Sequence, residues 1–313
     1  MDNIENSIGM DRFTIGHLIK ITREKRKISK VKLCYGLCTV TALTRYEQDI
    51  RIPDKFLADA LLERLGIQAF KYEFIASDHE FNFRVKRNEI EEFIWNEETE
   101  EAVCLFENYM RELREKDILH KQYALLQKAI ILKMKKQYEK CEELLAKAWN
   151  YTFPDINNDY DIGNLLLTNI EMKILYILAE CWSLKGEDKK ACGLYSALKK
   201  YIDDVKWDTI KRNEYYPNIL YHLACYEVKK YNYGIAKEYL LEAEALLIAN
   251  YRLENLYEIE REKNKVRTLM GKDENFQNNE NLLTTLEIIN LSNNGKITEE
   301  GIRLWESIAK QPL

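Results

Sequence analysis

Apolar positions recur at helical spacing along almost the whole chain. Over 13–27, Ile15, Leu18, Ile19 and Thr22 fall on one side with charges opposite, which predicts an amphipathic helix. Ser29 reads as the cap of a second helix carrying Val31, Leu33, Cys34 and Leu37. After the short turn Gly36-Leu37-Cys38-Thr39, Thr39 opens a third helix. Its pattern points Val40, Leu43 and Tyr46 inward and Thr39, Thr41, Ala42, Thr44 and Arg45 outward. A fourth runs from Asp54 to Leu65, presenting Phe56, Leu57, Ala60, Leu61 and Leu65, and Gly66 stops it.

From Ser77 the pattern becomes a series of amphipathic helix pairs with an internal repeat. Leu125, Leu175 and Leu220 align, followed by Ala129, Ala179 and Ala224. Further on come Cys141, Ala191 and Ala236, then Leu145, Tyr195 and Leu240, then Ala148, Leu198 and Ala243. Ala102 and Phe106 occupy the later positions of a weaker copy. Lys136-Gln137-Tyr138, Gly186-Glu187-Asp188 and Tyr231-Asn232-Tyr233-Gly234 are matching turns. The predicted pairs are 78–95 with 98–115, 117–135 with 138–150, 162–185 with 187–203, and 209–230 with 233–249. Helices near 251–270, 275–291 and 298–310 complete the expectation, and Phe153 to Asp159 is the clearest long loop. The large–small–small–large–small order resembles the tetratricopeptide repeat, in which small residues let paired helices cross closely. The copies start 50 and 45 residues apart, against about 34 for that repeat, so helices or connections are lengthened.

Composition agrees with helices throughout. Charged residues are 32% and hydrophobic ones 46%, while 11 Gly and 4 Pro leave few breakers in 313 residues. The expected fold class is all-α: an N-terminal helix-turn-helix domain, then a right-handed α-solenoid of tetratricopeptide-like pairs. The boundaries read as 1–68 for the head, 69–76 for a linker and 77–313 for a sensor and dimerisation array. Seven scattered cysteines show no C-x-x-C pair, and Cys34 and Cys38 lack partners at zinc spacing, so buried free thiols in a reducing compartment are expected. The polar N-terminus and the lack of an apolar run near ~20 residues point to a cytoplasmic protein with no membrane span.

Charge is unevenly spread. Net charge is −5, but residues 1–66 carry 12 basic and 9 acidic groups, net +3, against 35 and 43 in the remainder, net −8. Lys20, Arg23, Lys25, Arg26, Lys27, Lys30 and Lys32 crowd 20–32 against Glu24 alone. Flanking a helix-turn-helix pattern, this run suits phosphate contact.

The stretch from Ile15 to Pro53, with Ser29, Leu33, Gly36, Leu37, Cys38, Thr39, Leu43, Thr44, Arg45 and Glu47 at their spacings, resembles the XRE-type helix-turn-helix, in the form found in Rgg- and PlcR-like regulators. The resemblance implies that Ser29 and Lys30 touch a phosphate, and that Thr39, Thr41, Ala42, Thr44 and Arg45 lie on a recognition helix in the major groove. It implies Glu47 as an anchor tying helix 3 to neighbouring backbone. The chain departs from the family in carrying Asp49 where a glycine is usual, and Asp tolerates the left-handed conformation the turn requires. Independently of the family, short outward side chains let a helix approach base edges, and Arg45 can fork onto a guanine or a phosphate.

In the array, the first helix of each pair is expected to line a concave side. Its outward positions are Tyr123, Gln127 and Lys133, then Asn169, Lys173, Tyr176 and Glu180, then Asn218, Tyr221, His222 and Cys225. Asn side chains can pair with peptide N–H and C=O groups, and Tyr rings form side-chain pockets. The peptide-binding set is Tyr123, Gln127, Asn169, Lys173, Tyr176, Asn218, Tyr221 and His222. His17, His79, His120 and His222 lack ligand spacing, and no P-loop, nucleophile elbow or dinucleotide fingerprint occurs. No catalysis, metal or cofactor is expected. Resemblance to the peptide-responsive Rgg and PlcR group implies a homodimeric transcription regulator that binds double-stranded DNA and is controlled by a short peptide. The rival reading is a repeat-based interaction adaptor whose head is structural only.

Overall fold

The computed structural model describes residues 14–67, 78–154, 162–204, 209–249, 255–271, 292–293 and 296–297. The expected linker 69–76 and the helices expected over 275–291 and 298–310 lie outside these residues. The protein is all-α in architecture, a helix-turn-helix head followed by an array of paired helices.

The head comprises α1 (Ile15–Lys25), α2 (Lys30–Cys34), α3 (Val40–Glu47) and α4 (Lys55–Arg64). Each begins with a side chain that accepts from an orphan backbone N–H: Thr14 from His17, Ser29 from Lys32, Thr39 from Ala42, and Asp54 from Leu57. Leu18, Ile19, Leu33, Cys34, Leu37, Leu43, Tyr46, Leu57, Leu61 and Leu65 form its core. Two expected inward residues face out, Val31 at 62% and Val40 at 41% exposure. Helix α2 has five residues and only Leu33 and Cys34 reach the core, while Val40 is the first residue of α3, before its packed face begins. Asp49 adopts the left-handed conformation expected of it, at φ +57°, and its carboxylate accepts from the Thr14 hydroxyl at 2.6 Å.

The array pairs α5 (Asp78–Trp95) with α6 (Thr99–Glu112), α7 (Ile118–Met134) with α8 (Tyr138–Asn150), α9 (Asn169–Leu184) with α10 (Asp188–Asp204), and α11 (Thr209–Lys229) with α12 (Tyr233–Ala249). Helix α13 (Leu256–Leu269) follows. The repeat register is visible as burial. Ala129, Ala179, Ala224, Cys141, Ala236, Leu145, Leu240, Ala148 and Ala243 are all at 0% exposure, and Ala191, Tyr195 and Leu198 are buried with them. Small side chains at helix crossings let backbones approach, as the pattern requires. Each pair ends its first helix in the same way. Glu97, Lys136, Gly186 and Tyr231 are left-handed, and the next N–H closes back on the helix: Glu98 on Phe93, Gln137 on Leu132, Glu187 on Trp182, Asn232 on Glu227. Only one of these four positions is a glycine.

Helix α9 starts at Asn169 rather than near 162, because Thr168 and Glu171 form a capping box there. The preceding chain is pinned by Leu167 N–H donating to the Tyr201 hydroxyl at 2.8 Å. Phe153, expected in a loop, is buried against Trp149, while 155–161 lie outside the described residues. A two-residue antiparallel β pair, Ser292–Asn293 with Lys296–Ile297, was not anticipated.

The head sits on the array through a polar seam. Arg64 of α4 donates from Nη2 to Glu171 of α9 at 2.8 Å, with side chains only 1% and 0% exposed. Its Nη1 donates to the carbonyls of Leu33 and Tyr35, and its guanidinium lies over the Phe153 ring. Beside it, Asn169 donates from both backbone N and Nδ2 to Glu63, at 2.9 Å each. Gly36 packs against the end of α8 so closely that a Cβ would lie 1.9 Å from the Thr152 carbonyl oxygen, at φ +66°. Leu119 of α7 joins the head's core.

Candidate nucleic-acid interface and the groove beneath it

On the head, Ser29, Thr39, Thr41 and Arg45 are exposed, and Ala42 and Thr44 are half-buried. The seam contacts involve α4 and the α2–α3 turn, so they leave the outer face of α3 open. Lys20, Lys25, Lys27 and Lys32 are exposed along the neighbouring edge. Two residues of the basic run are spent internally. Arg23 grips the buried Glu47 carboxylate with Nε at 2.6 Å and Nη2 at 2.9 Å, and gives Nη1 to the Ile28 carbonyl. The hydrogen bond to Glu47 holds the Arg23 guanidinium above its ordinary pKa. Lys30, expected on a phosphate, directs its ammonium to Glu47 at 3.3 Å and the Thr44 hydroxyl at 3.0 Å. Glu47 is therefore an anchor, but to the side chains of Arg23 and Lys30 rather than to backbone. Thr44 also turns inward, donating to the Val40 carbonyl. Exposed on α3 and its cap are Thr39, Thr41 and Arg45, with Ala42 half-buried between them.

The eight groove residues fall into two sets. Tyr123, Gln127, Asn169 and Lys173 line a cleft of ≈ 270 Å³, whose other wall is α4 of the head. Tyr123 and Gln127 are not open wall as expected: they are 4% and 2% exposed, and the Tyr123 hydroxyl donates to the Arg87 carbonyl. Burial raises the Tyr123 hydroxyl far above its ordinary pKa, so it stays protonated. Tyr215 links the cleft to the second set, its ring 5.4 Å from Tyr176.

In that second set Tyr176 is also buried, at 7% exposure, and its hydroxyl donates to Glu180 at 2.9 Å. Glu180 takes Lys133 as well, with His222 Nε2 at 3.9 Å. The His222 ring stacks on Tyr195 at 4.7 Å, and burial lowers its pKa against the opposing pull of Glu180. Asn218 accepts from Asn255 at 3.0 Å, and Tyr221 is half-buried. The set is thus pre-bonded, with Asn218, Tyr221 and His222 accessible at its rim.

The sequence pattern missed the seam. Arg64 and Glu171 lie 107 residues apart, and each looks like an ordinary charge on an amphipathic helix. His120, which lacks ligand spacing in the sequence, has a packing role at the same joint. It packs between Phe56 of the head and Phe83 of the array at 4.8 and 5.0 Å and bonds the Tyr109 hydroxyl. Burial, then the nearby Arg87 charge, lowers its pKa to about 4. Cys141 and Cys181 touch in the array core with Sγ atoms 3.3 Å apart, and contact with Cys181 together with burial raises the Cys141 thiol. Among the described residues no three His, Cys, Asp or Glu come together as metal ligands, and no helix is long and apolar enough to cross a membrane.

No family model and no curated protein matches the chain in sequence. Solved structures do resemble it in fold. Bacillus thuringiensis PlcR, solved in complex with the peptide PapR7 and DNA, superposes with a TM-score of 0.55 at 14% identity, over 95% of this chain and 99% of that one. A kinesin light chain protein of Podosopora anserina with nearly identical tetratricopeptide-like repeats gives 0.44 at 15%, covering 69% and 97%. ComR from S. thermophilus, solved in complex with DNA and its signalling peptide, gives 0.36 at 15%, covering 81% and 99%. The PlcR likeness extends across both head and array. At scores below one half, the other two carry no weight.

Proposed function

We propose that this chain is a DNA-binding transcription regulator of the XRE-like type, acting as a homodimer and controlled by a short peptide bound in the groove of its array. The observation that carries this reading is the division of labour in the head. A closed internal network holds a helix-turn-helix in shape while Thr39, Thr41 and Arg45 stay exposed on α3. PlcR, similar along both units, was solved with DNA and a peptide. Dimerisation would set two heads one helical turn of DNA apart, about 34–36 Å. A peptide wedged between α4 and the array would bias the head's position, a shift between two arrangements.

The test is titration of the full chain against a randomised duplex pool at several salt concentrations. Log affinity should fall by roughly 0.9 per phosphate contacted for each tenfold rise in salt. Arg45→Ala should cost about 1–3 kcal/mol on the selected sequence, with the fold unchanged. The inward turn of Arg23 and Lys30 favours one rival, an interaction adaptor whose head is structural. Binding insensitive to both salt and Arg45→Ala would establish that rival instead.

A further inference from the structure

The cleft between head and array contains acceptors without donors. Gln122, at 0% exposure, donates from Nε2 to the Ala148 carbonyl at 3.0 Å and to Thr152 Oγ1 at 2.9 Å, while its Oε1 has no partner. The carboxamide cannot be reversed, because that would set Oε1 against the Ala148 carbonyl oxygen. With Nε2 committed to the end of α8, the trigonal group holds its oxygen on the other side, and Gln122 is among the residues that line the cleft. Asn169 repeats the arrangement: Nδ2 is held by Glu63 and Oδ1 is buried without a partner. Two carbonyl oxygens on two helices are thus oriented by bonds to their own NH₂ groups. Leaving a buried acceptor unmet costs about 1–3 kcal/mol, so the pair calls for a donor.

The charges around the cleft point to the kind of donor. Asp59, Glu63 and Glu91 face it, against Arg87 and Lys173, with Asp59 taking the Lys55 ammonium and Glu63 taking Asn169. Arg87 lies over the rings of Phe56 and Tyr123, at 4.5 and 5.9 Å. The two carbonyl oxygens remain unmet, and a group with several hydrogens on one centre suits them.

We propose that the head–array cleft binds a primary ammonium group against Gln122 Oε1 and Asn169 Oδ1, and that this group is the free amino terminus of the groove's peptide. The second half rests on the groove reading above. Because Asp59, Ala60 and Glu63 of α4 line the same cleft as the carboxamides of α7 and α9, the bound ammonium lies between the two units.

The test follows the side-chain NH₂ resonances of Gln122 and Asn169 in the full-length protein. The probes are glycinamide, N-acetylglycinamide, and a pool of synthetic heptapeptides with free or acetylated amino termini. Free-amine probes should shift both resonances saturably, and acetylated ones should bind at least about tenfold more weakly, the loss of one charge-assisted hydrogen bond. Glu91→Gln, at an exposed position that leaves the fold intact, should weaken the free amines about threefold. Free and acetylated peptides binding alike would overturn the ammonium site and leave the groove reading standing. Glycinamide binding without any peptide response would keep the site and overturn the groove reading. No shift with any probe, and water alone on the two oxygens in a crystal, would overturn the proposal.

Discussion

Two buried Arg–Glu pairs organise this molecule. Inside the head, Arg23 and Glu47 are 24 residues apart; at the seam, Arg64 and Glu171 are 107 apart. The head pair is closed. Arg23 uses Nε and both Nη groups, and Glu47 also takes Lys30. The seam pair is more deeply buried yet less complete: Glu171 spends its second oxygen on the Thr168 N–H of its own capping box, and Arg64 Nε has no partner. A buried ion pair stabilises weakly against apolar alternatives but is costly to break from one side. The first pair therefore shapes one small domain, and the second makes the array's α9 start and the head's α4 parts of one joint.

The largest expected effect breaks the seam. Arg64→Ala leaves Glu171 buried and uncompensated, which should cost about 3–5 kcal/mol in urea unfolding. The double variant Arg64→Met, Glu171→Leu should recover most of that loss. A loss as large in the double as in the single would mean that packing, not charge, dominates the joint.

Acid should loosen the same region. With His120 lowered to about 4 from an ordinary 6.5, the unfolded chain binds the extra proton between those values. Stability is full above about pH 6.5 and is lost as pH falls through 4, on the order of 3 kcal/mol in all. His120→Asn should flatten that part of the stability–pH curve, and hydrogen exchange at α4 and α7 should report it first.

Opening the head pair should matter less and act locally. Glu47→Gln removes the charge but keeps the shape, and should cost about 2 kcal/mol. Faster exchange should be confined to α1–α3 with the array unchanged. Exchange spreading into α9 would erase the distinction between the two pairs.

The smallest effect checks the array's terminators, where a backbone conformation rather than a charge is at stake. Lys136→Gly should stabilise by roughly 0.5 kcal/mol, the relief at φ +57° partly offset by the freer unfolded chain. Destabilisation in a thermal melt would show that the Lys136 side chain has a packing role.

Much of this was legible in the chain. The cap residues Ser29, Thr39 and Asp54 marked helix starts within a residue, and the Ala and Leu register located the crossings of the array. Asp49 could be read as left-handed because so few residue types tolerate that turn. Glu97, Lys136 and Tyr231 could not, since their conformation is imposed by the packed helices on either side. Among the candidate site residues, Thr39, Thr41 and Arg45 stood out because exposure on α3 follows from helical period. That Lys30 also reaches Glu47 and that Tyr123 is buried could not be read, because period says which way a side chain leaves its helix, not what a neighbouring element offers it.

By itself, then, the sequence determined the elements, their amphipathic faces and the repeat, because these depend on contacts three, four or seven positions away. Only the tertiary structure decided that Arg64 finds Glu171, that Gln122 and Asn169 keep buried oxygens without a partner beside one cleft, and that a wall of that cleft belongs to the head. Those outcomes join residues from separate turns of the chain, and no local spacing encodes which buried charge meets which.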